Sequence, residues 1–94
     1  MNKDKLRYAI LKEFDNGNRS FTYTDLGVEI NVYEDQMRFL SREGYIQGVL
    51  YADDTVYSIN QVVLTEKGEK YLEENSKLSK LYRGLKEIKE FIMF

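Results

Sequence analysis

The sequence predicts an α+β fold in which three helices precede a β-hairpin and further helices follow it. Apolar residues recur at helical spacing in two stretches of the first 44 residues. At Gly44-Tyr45-Ile46 this pattern stops and strand-like alternation begins, and at Leu64-Thr65-Glu66-Lys67-Gly68 the strands give way to a helix cap. The order helix, helix, helix, hairpin, helix is typical of a winged helix-turn-helix domain, here with additional C-terminal helices.

Two helices are predicted before residue 28. The first runs from Asp4 to Asn16, and the glycine and asparagines that follow tolerate positive φ and end it. A short strand is expected at Phe21–Tyr23, and a very short second helix at Tyr23–Gly27. The apolar stripe of the first helix consists of Leu6, Ala9, Ile10 and Phe14.

The third helix begins between Val28 and Val32 and runs to Glu43. Its start is open, because Asn31 and Glu34 resemble a capping box while the apolar stripe starts one residue earlier. Gly44 is the expected left-handed terminator. The predicted buried face consists of Ile30, Tyr33, Met37 and Leu40.

A hairpin and a fourth helix follow. Ile46–Ala52 and Thr55–Leu64 have the composition of two strands, and Asp53-Asp54 is suited to the turn between them. Thr65 is a good N-cap for a helix that reaches about Asn75 and buries Leu72 and Tyr71.

The last segment, Lys77–Phe94, is predicted to be one helix with an apolar seam at heptad spacing. The whole chain, residues 1–94, is then a single domain. The seam either docks on its own domain or forms a homodimer contact, and both alternatives stay open. The residues for such a contact are Leu78, Leu81, Leu85, Ile88, Phe91 and Ile92.

The composition excludes several classes of function. Without histidine or cysteine the chain has no Ser-His or Cys-His nucleophile pair, no disulfide and no thiolate metal site. We therefore expect neither an enzyme nor a cofactor or metal. No signal peptide and no apolar run of about 18 residues is present, which predicts a cytoplasmic protein with no membrane partner.

The function that the sequence favours is that of a small DNA-binding transcriptional regulator, acting as a homodimer whose third helix reads duplex DNA. The side chains expected on its outward surface that suit base or phosphate contacts are Asn31, Arg38, Ser41 and Arg42. A plainer interpretation exists for the arginine at position 38, because Glu34 and Asp35 lie four and three residues before it and favour ordinary ion pairing on the helix surface.

The charge distribution supports a different partner. Residues 31–60 carry two basic and five acidic side chains, whereas the segments on either side are neutral or slightly basic. Asp53-Asp54 also places carboxylates where a wing normally approaches phosphates. The alternative to DNA is thus a protein-interaction module that presents its acidic third helix and hairpin to a basic protein partner.

Four stretches together resemble one family over nearly the whole chain. They are Asn2–Glu13, Arg42–Ile46, Leu64–Gly68 and Leu85–Lys89, and they are similar to the YjcQ family of Firmicutes and their phages. The resemblance implies a winged-helix-like fold in a family whose biochemical role is not established. It implies no catalytic residues.

Overall fold

A computed structural model describes residues 1–93, and the first half of it consists of three helices. The side chain of Asn2 accepts a hydrogen bond from the Lys5 amide (3.1 Å) and caps the first helix. Gly27, at φ 71°, ends the second helix in the left-handed conformation that glycine adopts without strain. The helices are α1 (Lys3–Asp15), α2 (Tyr23–Leu26) and α3 (Ile30–Arg42).

One prediction in this half is wrong, and one open alternative is decided. No strand forms at Phe21–Tyr23, because the phenylalanine is buried in the core and Thr22 already caps α2 through a capping box with Asp25. The third helix begins at Ile30, within the predicted range, so that Asn31 lies inside its first turn and the alternative in which Asn31 caps it is excluded.

The buried face of α3 is confirmed except at its first residue. Ile30, predicted to be buried, is 48% exposed because it lies at the helix N-terminus beside a groove that the hairpin does not close. The core-facing residues are Tyr33, Met37 and Leu40.

The hairpin forms with its turn at the predicted aspartates but is paired in two pieces. Asp53 and Asp54 have φ values of 51° and 65°, as a tight hairpin turn requires. The ladder is interrupted between the two paired pieces at Gly48, where an added Cβ would lie 2.3 Å from the backbone oxygen of Gln61, in the segment between β3 and β4. The strands are β1 (Ile46–Gln47) with β4 (Val63–Leu64), and β2 (Leu50–Ala52) with β3 (Thr55–Ser58).

The C-terminal segment is not one helix. Helix α4 (Glu66–Glu74) begins at its predicted cap, but Lys77–Met93 is divided into two 3-10 helices and a short α-helix, and Phe94 lies outside the described residues. Gly84 causes the break, because its φ of 99° cannot continue a helix. The heptad seam therefore does not exist as a continuous stripe. The three pieces are Ser76–Lys80, Leu85–Glu87 and α5 (Ile88–Met93).

Helix α1 lies at the centre of the core. It contacts α4, α5 and β4, while α3 contacts α2 and the hairpin. The backbone amide of Asn2 donates to the Ile92 carbonyl (2.7 Å), so the start of the chain is tied to α5. The α+β class predicted from sequence is confirmed, with three helices, a hairpin and helices after it.

Candidate functional site

One face of the molecule is built from α3 and the hairpin, and Glu34 joins the two. This residue lies in the second turn of α3 and is only 8% exposed. Both of its carboxylate oxygens accept from the Val56 amide of β3, each at 3.0 Å. The carboxylate thereby accepts a hydrogen bond from a backbone N–H at the outer edge of the hairpin. Without it, this N–H would need a neighbouring strand or a water molecule as its partner.

Arg38 lies one helical turn further along and makes a second link. Its guanidinium pairs with Glu34 at 3.5 Å, which confirms the ion pair predicted from the spacing. The same guanidinium donates to the backbone carbonyl of Asp54 in the hairpin turn. One of the four predicted DNA-contact residues is therefore engaged in holding the hairpin against α3.

The other polar candidates at the C-terminal end of α3 lie beside Arg38. The hydroxyls of Ser41 and Tyr51 are 3.4 Å apart, and the Arg42 Nε lies 3.4 Å from a carboxylate oxygen of Glu43. Arg38, Ser41, Arg42 and Tyr51 together line one open, shallow surface. Asn31 is exposed but lies about 10 Å along the helix axis from Arg38 and about 16 Å from Arg42. The structure thus brings three of the four predicted DNA contacts together and leaves the fourth apart.

The end of α3 is fixed by the start of α4. The Thr65 hydroxyl donates to the Gly44 carbonyl (2.5 Å) and the Lys67 ammonium to the Glu43 carbonyl (2.7 Å). These bonds satisfy carbonyls that a helix C-terminus leaves without partners. Gly68 is needed in α4 because a Cβ there would lie 2.3 Å from a Tyr45 backbone oxygen. The motifs Gly44-Tyr45-Ile46 and Leu64–Gly68, which mark the helix–strand junctions in the sequence, are thus in direct contact.

The chain segment that supplies this face is acidic. Residues 20–66, which include α2, α3, the hairpin and the first residue of α4, carry eight carboxylates and two guanidinium groups, a net charge of −6, whereas the whole chain has −2. The rest of the chain is therefore basic by +4. Most of the carboxylates point to solvent; the exposed acidic residues are Asp25, Glu29, Asp35, Glu43, Asp53, Asp54 and Glu66.

A tyrosine is buried beside this acidic cluster. Tyr33, on α3, is 6% exposed, and burial together with the neighbouring Glu34 charge raises the pKa of its phenol to about 12. The phenol consequently stays neutral at physiological pH and acts as an apolar surface with one hydrogen-bonding atom.

Comparisons with known proteins agree with the resemblance seen in the sequence. The profile of the YjcQ protein family matches residues 4–91. A Bacillus subtilis (strain 168) protein described as "Uncharacterized protein YjcQ" is 53% identical over 94 residues, which cover 98% of this chain and 99% of that protein. The chain belongs to the YjcQ family. The solution NMR structure of the YjcQ protein from Bacillus subtilis superimposes with a TM-score of 0.68 at 50% identity, covering 76% of this chain and 92% of that one.

In this YjcQ-family chain the predicted dimer residues lie mostly in the protein's own core. Ile88, Phe91 and Ile92 are buried against α1, and Leu78 and Leu85 pack on the edge of the same core. Leu81 alone among the six is exposed, at 57%. A homodimer through this segment stays a prediction, and only one of the six predicted side chains is exposed to make it.

Several residues that hold the site gave no signal in the sequence. Arg19 donates to three carbonyls, on Phe14, Asn18 and Val62, and so fastens the end of α1 to the hairpin. Arg7 of α1 donates to the buried Gln36 of α3 at 2.7 Å. No periodicity identifies the bonds from Arg19 to Val62 and from Arg7 to Gln36, since they join residues 43 and 29 apart in sequence.

The described residues also bear on metals and membranes. Within residues 1–93 no group of three or more metal-ligating side chains is assembled. None of the helices described there has the length and apolarity needed to cross a membrane.

Proposed function

We propose that this YjcQ-family protein is a non-enzymatic interaction module whose acidic α3–hairpin face binds a basic segment of another protein. The observation that carries the proposal is the uneven charge distribution, with −6 on residues 20–66 in a chain of −2. A surface of one sign raises the association rate with partners of the opposite sign and disfavours partners of the same sign. Lacking histidine and cysteine, the chain has neither the most common acid–base catalyst near neutral pH nor a thiol nucleophile.

The state of Arg38 supports a protein partner over DNA. Its guanidinium is neutralised by Glu34 and donates to the hairpin turn, so contact with a phosphate would require breaking an internal link. Asp35, Asp53 and Asp54 are exposed on the same face. Phosphate contacts supply most of the non-specific affinity for DNA, and carboxylates at these positions oppose them.

Binding of duplex DNA is the second candidate, and one observation favours it. Two arginines and two hydroxyl groups, on Arg38, Arg42, Ser41 and Tyr51, converge on one open surface between the reading helix and the wing. Guanidinium and hydroxyl groups are common donors to phosphate oxygens. In this alternative the arginine at position 38 leaves Glu34 to reach the DNA backbone, and Asn31 contacts a base from the other end of α3.

A fluorescence-anisotropy experiment separates the two functions. The protein is titrated into a labelled mixed-sequence DNA duplex and, separately, into a labelled pool of random peptides rich in lysine and arginine, at about 50 and 200 mM salt. Our proposal predicts peptide binding that weakens with salt and no duplex binding at the lower salt. Duplex binding without peptide binding would replace it with the DNA-binding function.

Charge variants make the experiment sharper. Replacing Asp35, Asp53 and Asp54 with asparagine removes three exposed carboxylates and changes the net charge from −2 to +1. Asparagine tolerates the positive φ at the two turn positions, so the hairpin is preserved. Peptide binding should be lost in this variant if the face is used for a basic protein. Lys77→Gln with Lys80→Gln, on the C-terminal segment, is the control and should bind as the unmodified protein does.

A further inference from the structure

A groove lies between the helix-turn-helix and the hairpin, on the same side as the acidic face. Its volume is about 320 Å³, and it is lined by residues of the α1–α2 loop, α2, the first turns of α3, and β3. Tyr33 lies in it, with its ring centre 6.3 Å from that of Tyr23. The buried Phe21 and Ile59 line it as well, so part of its wall belongs to the hydrophobic core.

Three exposed apolar side chains from three different elements line this groove. They are Tyr23 of α2 (38% exposed), Ile30 of α3 (48%) and Tyr57 of β3 (74%). Single exposed apolar residues are normal, but several that converge on one concavity mark a contact site. Tyrosine suits this role because it offers large contact area at low entropic cost and keeps a polar end.

We propose that this groove accepts one apolar side chain of the partner, and that lysine or arginine residues flank that side chain in the partner sequence. The inference rests on the proposed function and specifies the partner. The occupant follows from charge complementarity. Asp25 lies on α2, which supplies part of one wall, and Asp53 and Asp54 lie at the tip of the hairpin that forms the other. Residues 20–37 contain no basic side chain.

The groove itself favours an apolar anchor over a cationic one. Arg19 lines it, and although its guanidinium donates to three backbone carbonyls, it retains its positive charge and repels a second cation. The nearby Glu34 charge is already matched by Arg38 and by the Val56 amide. The cations of the partner therefore belong outside the groove, opposite the exposed carboxylates.

The test is selection from a library of random twelve-residue peptides displayed on phage, with the full chain as bait. We expect the selected peptides to share an apolar residue with lysine or arginine on both sides. Affinities of the enriched peptides are then measured by anisotropy against matched variants. Tyr57→Ser and Ile30→Ser should each weaken binding about tenfold, the usual loss on removing a contact residue of this size. Val63→Ser, at a site 53% exposed on β4 and outside the groove, should not.

Two outcomes would count against the inference, and they differ in meaning. Basic peptides whose binding depends on Asp35, Asp53 and Asp54 but not on Tyr57 or Ile30 would overturn the groove and leave the proposed function standing. Selected peptides without basic residues, or no enrichment, would overturn both.

Discussion

Glu34→Gln is the substitution that most directly probes how α3 and the hairpin are held together. Glutamine keeps the size of the side chain but removes its charge. The carboxylate accepts from the Val56 amide through both oxygens and pairs with Arg38 at 3.5 Å. Hydrogen bonds to a charged group contribute about 1.5–3 kcal/mol and neutral ones about 0.5–1.5. The ion pair with Arg38, whose side chain is 42% exposed, adds only about 0.3–0.5 kcal/mol.

The loss expected from these magnitudes is about 1.5–2 kcal/mol in the free energy of unfolding. One opposing effect is that the variant avoids the desolvation cost of a buried carboxylate. The hydrogen bonds and the ion pair of Glu34 outweigh this cost here, because the backbone amide and the guanidinium already replace the water that burial removes. For a chain of this length the expected change corresponds to a fall of roughly 10 °C in Tm.

Urea denaturation followed by circular dichroism measures the change, and hydrogen exchange of the Val56 amide locates it. Glu43→Gln is the matched control, since Glu43 is exposed and pairs only with the neighbouring Arg42; it should cost less than about 0.5 kcal/mol. If Glu34→Gln unfolds at the same urea concentration as the unmodified protein, with Val56 exchange unchanged, then the carboxylate does not hold the hairpin and the reasoning fails.

Three further predictions concern stability. Gly68→Ala, which at an ordinary helix position would stabilise by about 1 kcal/mol, should lower Tm, because the new Cβ would lie 2.3 Å from the Tyr45 carbonyl oxygen; a raised Tm in a thermal melt would contradict the close approach. Gly48→Ala should cost at least about 1 kcal/mol more than Gly17→Ala in urea, because both have positive φ but only the first meets backbone within 4 Å; equal losses would show that strain alone matters. The pKa of Tyr33 is raised to about 12 in the folded protein, so its contribution to the free energy of unfolding is complete below pH 10 and is lost as the pH rises towards 12, since the unfolded chain loses this proton first. Tyr33→Phe should make the fall in Tm between pH 8 and 11.5 shallower. An unchanged slope would be evidence against this contribution.

Local signals in the sequence were sufficient for the order of elements. The apolar stripe of α1, the glycine that ends α3, the aspartate pair in the turn and the threonine cap of α4 each act within a few residues, so a pattern or a single residue type predicts them. The motifs Gly44-Tyr45-Ile46 and Leu64–Gly68 were informative for a further reason. They contact each other, and this contact limits which residue types fit at both positions.

The C-terminal segment shows where such reasoning stops. Leu78, Leu81, Leu85 and Ile88 have the spacing of a helical seam, yet Gly84 breaks the helix and tertiary contacts decide the path. Tyr82, whose hydroxyl donates to the carboxylate of Glu13 on α1, fixes the segment just before that break. The pKa of this phenol is raised by burial and by the same carboxylate. A bond between residues 69 apart in sequence leaves no periodic pattern from which to predict it.

The candidate site was only partly visible in the sequence for a similar reason. The spacing of Glu34 and Arg38 predicted their ion pair, but the same pattern placed Glu34 on an exposed flank, whereas the hairpin covers it. Ile30 had the spacing of a core residue and instead lines the groove. Whether a helical residue is buried depends on where the next element lies, and helical periodicity contains no information on the position of a hairpin that follows.

The most direct test of the acidic binding face is an NMR titration of the ¹⁵N-labelled protein. Amide shifts are recorded while the lysine- and arginine-rich peptide pool, or the mixed-sequence duplex, is added at about 50 mM salt. We expect the peptides to shift the amide resonances of Asp35, Asp53 and Tyr57 and to leave those of Lys77–Lys89 unchanged. We expect the duplex to shift neither set. Shifts confined to Arg38–Arg42 on addition of duplex, with none from the peptides, would contradict this expectation and identify α3 as a DNA reader.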